Sequence, residues 1–289
     1  MVKIESVDVV VTAYFVDWSY FTSNVKSWLE ELPVRTLYFG CSNPNVEYIE
    51  ELRSYLSQYD KIEFIDQRGF KTLGMCLADL MKRVETEFFV FVHADAWLSR
   101  HSFLVMEAEM EDHVGIVESE RVQYKYEDAP PYPTEYAHYY YYSRSFSGYQ
   151  LFRMEAIKEI LVKIEDDYIY RNEDLIFQNV CSEKGFHYQK AFAMHVHTCS
   201  KVSQKWTPQG DELEDPYPIT YDMQIKGIVK YCTPTDITKK AWRDAFGIAF
   251  SVNKIDLFKF VDDFVMKVNP VWRDAIQETI SDLLISIYK

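Results

Sequence analysis

The chain has 289 residues, of which 48% are apolar and 26% charged, a composition typical of a globular protein longer than most single hydrophobic cores. The formal net charge of −14 argues against a nucleic-acid partner, because phosphate backbones are bound by clustered Lys and Arg. Five cysteines lie far apart without a Cys-x-x-Cys pair, so we expect neither a zinc knuckle nor a disulfide framework. This cysteine usage fits a protein of the reducing cytoplasm.

Targeting segments are not expected from the sequence. The first residues run directly into an apolar strand, which leaves no room for a signal peptide. No apolar run approaches the ~20 residues that cross a bilayer. The sequence therefore predicts no transmembrane segment and leaves peripheral membrane contact open.

Strands and helices alternate over the first 95 residues. The run VDVVVTA predicts a strand at 7–13, and apolar residues at helical spacing predict a helix over 19–32 with Ser19 as its N-cap. The elements expected next are a strand at 34–39, a helix over 46–58, a strand at 61–65, a helix around 72–84 and a strand at 88–92. This alternation predicts an α/β fold with a mostly parallel sheet covered by helices on both faces.

The last of these strands ends in two polar residues, in the stretch EFFVFVHADAWL. Ligands of open α/β sheets bind beyond the carboxyl ends of the strands, where His93 and Asp95 are expected. Strand alternation would place both side chains on the same side of the sheet. Alternatively, Asp95 caps the next turn and His93 is a hydrogen-bonded edge histidine.

Residues 123–149 hold three prolines and many tyrosines, so regular structure is not expected across the prolines. A long loop in a compact domain is usually functional or disordered, and this aromatic content argues against disorder. Tyrosine suits stacking on a sugar ring and equally suits a protein interface. Both an acceptor site and an interface remain open for this segment.

Two polar clusters follow. Residues 171–185 predict a helix with Asn172 as N-cap and with Glu173 and Asp174 in its first turn, where acids also simply complement the helix dipole. Residues 187–198 predict a strand on which His195 and His197 share a face. Two such imidazoles can chelate a transition metal, although histidine pairs also occur on ordinary strands.

The composition changes beyond about residue 205. The acidic, proline-bearing stretch TPQGDELEDPYP reads as a linker, and three helices are expected after it, at 236–251, 254–268 and 271–288. We therefore predict a catalytic domain at 1–205 and a helical C-terminal extension at 206–289. A membrane-surface helix is the lesser option, because the polar faces carry as much acid as base.

Five motifs occur in an order that resembles the GT-A fold, family 2-like glycosyltransferases. ETEFFVFVHADAW resembles the strand that ends in the family's Asp-x-Asp element, and VDVVVTAYF resembles its opening strand. SGYQLFRMEAI, NED at 172–174 and MHVHTCS resemble its later motifs, so that the likeness covers about residues 5–200. It implies a GT-A, Rossmann-like fold with a mixed, mostly parallel sheet and a C-terminal helical extension.

The chain departs from the family pattern at three places. His93 stands where the family has the first acid of Asp-x-Asp. Gly40, Cys41, Ser42 and Asn43 replace its acidic Asp-Asp-Gly-Ser element, and Leu77 and Ala78 replace an Arg-Asn pair. All three departures touch the side of the site where the nucleotide is expected.

The resemblance implies metal-dependent, inverting transfer of a sugar from a nucleotide diphosphate sugar, with UDP- and GDP-sugars expected first. Acceptors would be hydroxyls of a glycan, a lipid-linked molecule or a protein. A Mn²⁺ or Mg²⁺ ion would stabilise the departing diphosphate, held by Asp95 with an imidazole of His197 or His195. An imidazole ligand favours Mn²⁺, and spacing does not choose between the two histidines.

The same resemblance assigns the remaining roles. Asp174 would be the general base for the acceptor hydroxyl, and Glu173 would orient the acceptor or act as the base itself. On the donor side the alignment places Thr12, Ala13, Tyr14, Lys71 and His93, with Lys71 reaching the phosphates.

Two other functions compete with transfer. A degenerate binding or scaffold protein is suggested by the missing acids on the nucleotide side. A metal-dependent hydrolase could use His93, Asp95, His195 and His197, but the chain lacks the Asp-x-His that metallo-β-lactamase-like hydrolases need. We rank the transferase first, the scaffold second and the hydrolase third.

Overall fold

Four parallel strands form the first half of the sheet. The computed structural model describes residues 2–70, 73–123, 141–143, 148–163, 173–197, 217–253 and 257–287. The strands are β1 (Val7–Ala13), β2 (Val34–Cys41), β3 (Ile62–Asp66) and β4 (Phe88–His93), in the spatial order β3-β2-β1-β4. The first five residues of β1 and of β4 are buried, which explains why their apolar runs are continuous rather than alternating.

The first three helices lie between these strands, as the sequence predicts. They are α1 (Trp18–Glu31), α2 (Val46–Leu56) and α3 (Leu73–Met81). The prediction of Ser19 as the cap of α1 is wrong, because the helix begins one residue earlier and the Asp17 carboxylate accepts from the Ser19 backbone N–H at 3.0 Å. Asp and Ser are comparable N-caps, so the sequence alone did not separate them.

The second half of the sheet is mixed. It consists of β5 (Ala96–Trp97), β6 (Val114–Gln123), β7 (Tyr141–Ser143), β8 (Tyr149–Arg153) and β9 (His187–His197). The described strands run in the order β3-β2-β1-β4-β8-β6-β9-β5, and β7 pairs with β6. The parallel β6–β9 ladder is the longest, while β8 is antiparallel to both β4 and β6. The predicted mixed, mostly parallel sheet is confirmed.

Helices cover both faces of the sheet. Those of the second half of the sheet are α4 (Arg100–Glu109) and α5 (Met154–Lys163), and the next helix along the chain is α6 (Glu173–Glu183). Buried residues of α1, α2 and α4 form one core with β1, β2 and β4, in which Trp28 stacks on Phe39 with ring centroids 6.5 Å apart. Gly40 alternates with Phe39 along β2 and faces Leu80 of α3 instead. Most of the tyrosine-rich segment 123–149 lies outside the described residues.

The chain divides into two compact units. The first contains residues 1–71, 75–165 and 181–211 and holds the whole sheet, and the second contains residues 72–74, 166–180 and 212–289. The domain boundary that the sequence predicts at 205/206 lies outside the described residues and stays a prediction.

The helices of the second unit are more numerous than the sequence predicts. They are α7 (Tyr217–Tyr231), α8 (Asp236–Asn253), α9 (Leu257–Phe260), a π-helical turn (Val261–Val265), α10 (Met266–Val268) and α11 (Trp272–Ile287). Helix α7 was missed, because it follows a proline-rich linker and contains Gly227. In the core of this unit, Trp242 stacks on Phe246, with ring centroids 4.9 Å apart. None of the helices described in the chain is long and apolar enough to cross a membrane.

Candidate functional site

The carboxyl ends of β1 to β4 bring together several residues that the sequence singled out. Since the four strands are parallel, their carboxyl ends share one edge of the sheet. Thr12 lies opposite Gly40 on one side and His93 on the other, and Ala13 lies opposite Cys41. The structure thus places the predicted donor-side positions Thr12, Ala13 and His93 next to one another.

Asp95 lies in a turn just beyond this edge. β4 ends at His93, so the alternation of side chains along the strand does not extend to Asp95. The prediction that alternation places His93 and Asp95 on the same side of the sheet is therefore wrong. Helix α1 holds the turn on both sides of Asp95: Asn24 Nδ2 donates to the Ala94 carbonyl at 3.3 Å, and Trp28 Nε1 donates to the Ala96 carbonyl at 2.7 Å. Both donors are buried, which fixes the backbone position of Asp95.

The pairing of β5 with β9 separates the two candidate histidines. Ala96 pairs with His197 and Trp97 pairs with Val196 in an antiparallel ladder. Paired residues of such ladders have Cα atoms ~4.5–5.5 Å apart, so the backbone of His197 lies beside the residue that follows Asp95. His195 lies two residues further along β9, which is roughly 6–7 Å. The backbone register therefore favours His197 over His195 as the neighbour of Asp95.

The chemical groups that could hold a metal ion are only partly described. The side chains of His195 and His197 lie outside the described residues, as does Lys71. Among the side chains that are described, no group of three His, Cys, Asp or Glu residues is arranged to hold a metal ion. Beside the turn of Asp95 the structure places the backbone of one histidine, His197.

The polar residues at the end of β2 and just after it form hydrogen bonds inside the protein. Asn43 is buried, and its Nδ2 donates to the Tyr14 carbonyl at 2.9 Å. The Cys41 thiol donates to the same carbonyl at 3.7 Å, and burial raises its pKa to about 12, which keeps it neutral. These contacts tie Tyr14, the residue after β1, to the last residue of β2 and to the segment that follows it. Their polar groups position Tyr14, a role that sequence reasoning missed.

Gln67 fills the space that Gly40 leaves at the same edge. It is 2% exposed, and its Nε2 donates to the Cys76 carbonyl at 3.0 Å and to Asp79 Oδ2 at 2.9 Å. A Cβ atom on Gly40 would lie 2.2 Å from Gln67 Oε1. The lack of a side chain at position 40 is therefore needed for this packing. The Gly40–Gln67 pair carried no sequence signal, because it joins a residue of β2 to the residue that follows β3.

Exposed aromatic rings stand beside the edge. Phe15, two residues after β1, is 40% exposed and makes edge contacts with Tyr14 and Tyr48, at centroid distances of 4.9 and 5.6 Å. Phe70, in the segment after β3, is 36% exposed. Aromatic faces next to a polar crevice can stack on a sugar or a base. The two consecutive aromatic residues after the first strand, Tyr14 and Phe15, were the signal that could have identified Phe15.

The two predicted catalytic acids open helix α6. Glu173 and Asp174 are both half-buried, and Asn172, the predicted N-cap, lies outside the described residues. Burial raises the pKa of Asp174 to about 6, while the Leu175 N–H, which donates to its Oδ1 at 2.8 Å, acts in the opposite direction. Such a carboxyl is a stronger base than an ordinary aspartate and is still mostly ionised at pH 7.

Three solved structures of glycosyltransferases are among those with a similar fold. One is the mannosyltransferase PcManGT from Pyrobaculum calidifontis in complex with GDP-Man and Mn²⁺, with 10% identity, a TM-score of 0.53, and 98% of this chain and 87% of that one covered. Another is GalNAc-T7 with UDP, GalNAc and Mn²⁺, with 10% identity, a TM-score of 0.59, and coverage of 98% and 57%. S. aureus TarS 1-349 with UDP-GlcNAc has 13% identity, a TM-score of 0.50, and coverage of 96% and 81%. The chain has the GT-A fold.

At 10–13% identity these similarities show that the fold is shared and do not show a shared function. No known protein-family profile and no curated protein matches the sequence. Two of the three departures seen in the sequence now have structural explanations. Leu77 and Ala78, which replace an Arg-Asn pair, are fully buried core residues of α3. Gly40 and Asn43 belong to the internal contacts of the edge.

Proposed function

We propose that this protein is a glycosyltransferase, which moves a sugar from a nucleotide diphosphate sugar to an acceptor hydroxyl of a glycan, a lipid-linked molecule or a protein. The observation that carries the proposal is the arrangement at the carboxyl edge, where Thr12 lies beside His93 and the backbone of His197 lies beside the turn of Asp95. GT-A neighbours that carry GDP-Man, UDP-GlcNAc or UDP support UDP- and GDP-sugars as the donors to test first.

A divalent cation fits the donor set of this edge. A carboxylate and an imidazole are ligands that Mn²⁺ accepts, and Mg²⁺ is the alternative if only oxygen ligands take part. Asp95 and His197 would hold the ion, with His195 as the second choice because of its register. When bound, it would act as a Lewis acid that stabilises the charge of the departing diphosphate. The backbone clamp of Asn24 and Trp28 would keep Asp95 in place during turnover.

Asp174 is the proposed general base. Its raised pKa, about 6, suits the removal of a proton from an acceptor hydroxyl near neutral pH. Glu173, the preceding residue of α6, would orient the acceptor or take over the base role. Attack of the activated hydroxyl opposite the departing diphosphate would invert the configuration of the sugar.

The donor would lie along the edge of β1. Backbone and side-chain groups of Thr12, Ala13 and Tyr14 would bind it, with Lys71 reaching the phosphates. Phe15 is added to this set because its exposed ring is held against Tyr14 and Tyr48 beside the edge. Stacking on an aromatic ring would compensate in part for the missing acidic element after β2.

A thermal-shift screen tests the proposal. The protein is mixed with UDP-, GDP-, CMP- and dTDP-sugars, each with and without Mn²⁺. We expect a UDP- or GDP-sugar to raise the melting temperature when Mn²⁺ is present, because a specific ligand stabilises the folded state. A screen in which no nucleotide sugar changes the melting temperature would contradict the proposal.

The scaffold alternative is favoured by one observation. The polar side chain of Asn43 after β2 is buried and bonded to the Tyr14 carbonyl instead of being presented to a ligand. If the protein binds nucleotide sugars but transfers none, binding alone is its function. Product analysis with a mixture of glycan acceptors separates the cases, since acceptor-dependent sugar transfer supports the enzyme.

A further inference from the structure

Helix α1 turns three polar side chains towards the segment that follows β4. Ser27 and Trp28 follow Asn24 by three and four residues, so the three share one face of the helix, and all three are buried. Ser27 Oγ accepts from the Leu98 N–H at 3.2 Å and donates to the Asn24 carbonyl at 2.8 Å, which fixes the hydroxyl. Trp28 Nε1 donates to the Ala96 carbonyl, two residues before Leu98. The helix thus holds this segment at Ala96 as well as at Leu98.

Strand β5 is the part of the segment that these two bonds hold. It has two residues and stands at the end of the described strand order, next to β9. Strands of globular proteins usually have ~3–10 residues, so two ladder pairs alone would hold β5 weakly. A strand at the edge of a sheet also leaves backbone groups unpaired. Helix α1 supplies partners for two such groups, the Ala96 carbonyl and the Leu98 N–H.

The same short strand connects the two proposed metal ligands. Asp95 directly precedes β5, and Ala96 of β5 pairs with His197 of β9. On its other side His197 pairs with Gln123 of β6, so β9 is fixed in the sheet independently of β5. The separation of Asp95 from His197 therefore depends on how firmly β5 is held against β9.

We propose that Ser27 and Trp28 are positioning residues of the metal site, which hold β5 against β9 and thereby set the separation of Asp95 from His197. The metal role of that pair rests on the proposed function, whereas the hold on β5 is a property of the chain alone. Ser27 and Trp28 act through the backbone of β5. Replacing residues that orient metal ligands typically weakens metal binding by roughly 10–100-fold.

The variant Ser27→Ala/Trp28→Phe tests the proposal. It removes the hydroxyl and the indole N–H but keeps a small residue and an aromatic ring. Val25→Ala is the matched control, because Val25 is buried in the same core on the same helix and its side chain forms no hydrogen bonds. Ser27→Ala alone is the milder variant if the double variant does not fold.

The first measurement is amide hydrogen exchange of the protein without ligand. We expect residues 95–98 and 196–197 of the double variant to exchange at least about tenfold faster, measured relative to β1, because buried backbone groups lose their partners. Val25→Ala should exchange in these residues as the wild type does, again relative to β1.

The second measurement is Mn²⁺ affinity. The electron paramagnetic resonance signal of free Mn²⁺ is followed while the protein is titrated with Mn²⁺ in the presence of UDP or GDP. Wild type and Val25→Ala should bind Mn²⁺ alike, and the double variant should bind it at least about tenfold more weakly.

Two results would overturn the proposal. One is unchanged exchange of residues 95–98 in the double variant, which would mean that α1 does not hold β5. The other is faster exchange together with the Mn²⁺ affinity of the wild type, which would leave Ser27 and Trp28 a structural role alone. A wild type that binds no Mn²⁺ with either nucleotide would contradict the proposed cation instead, and hydrogen exchange then decides whether α1 holds β5.

Discussion

The two ends of the four parallel strands both bury polar groups, but the carboxyl ends also have an exposed aromatic ring beside them. At the amino ends, the Asp8 side chain is fully buried and accepts from Arg35 Nε at 2.8 Å, from Arg35 Nη2 at 2.7 Å and from the Glu85 N–H at 2.8 Å. At the carboxyl ends, Phe15 is exposed and the strands run out into His93 and the turn of Asp95.

We therefore link the amino ends to the stability of the fold and the carboxyl ends to the proposed function. Burial raises the pKa of Asp8, but the hydrogen bonds from Arg35 and the backbone outweigh it and hold the pKa below its ordinary value. Asp8 therefore stabilises the fold above pH 3.8, and this contribution is lost as the pH falls through the lower folded-state pKa. The carboxyl end carries the proposed donor-binding residues. Changes at the amino end should alter stability alone, and changes at the proposed reactive groups should alter turnover alone.

The largest effect is expected from Asp174→Asn. The amide is similar in size but cannot accept the hydroxyl proton, so sugar transfer should fall by about 10²–10⁴-fold while donor binding is retained. Initial rates and donor titrations of wild type and variant measure this. Transfer at the wild-type rate would remove Asp174 from the mechanism.

Two controls make this result interpretable. In the wild type, transfer should decline below about pH 6, where Asp174 becomes protonated, and this decline should disappear from the residual activity of the variant. Since burial raises the folded-state pKa, the carboxyl favours folding at low pH and loses this contribution as the pH rises towards 6. The variant should therefore be at least as stable as the wild type at pH 7, and a lower melting temperature would indicate misfolding.

A smaller effect, on stability alone, is expected from Asp8→Asn. The change removes the charge that Arg35 and two backbone N–H groups surround, and we expect a loss of about 2–3 kcal/mol in the free energy of unfolding. Urea denaturation measures it, with the exposed Glu5→Gln as control. Unchanged stability, or a loss of donor binding, would contradict the division between the two ends.

The smallest effect is expected from Gly40→Ala. The new methyl group would meet Gln67 Oε1 at 2.2 Å and Leu80 Cδ1 at 3.0 Å, so overpacking should cost about 1–2 kcal/mol of stability. Gly69→Ala is the matched control, because nothing lies within 4 Å of a Cβ at that position. If both variants are equally stable, Gln67 does not hold the carboxyl edge as described.

The sequence predicted the first four strands, because apolar runs such as residues 88–92 indicate buried parallel strands. It also placed His93 and Asp95 at the carboxyl edge of the sheet, because strand ends in such sheets converge, whereas Thr12 came from the family resemblance. It did not choose between His195 and His197, because the choice rests on pairing with Ala96, a residue of a two-residue strand about 100 positions away. The Gln67 contact with Gly40 was beyond sequence reasoning for the same reason.

The central claim is that Asp95 and His197 hold a divalent ion at the donor site. Calorimetric titration of a UDP- or GDP-sugar that the thermal-shift screen identifies, with and without Mn²⁺, tests it in wild type, Asp95→Asn, His197→Gln and the exposed control His113→Gln. We expect Mn²⁺ to strengthen donor binding in wild type and His113→Gln, and both site variants to lose that gain. Unchanged Mn²⁺-dependent binding in Asp95→Asn would contradict the claim.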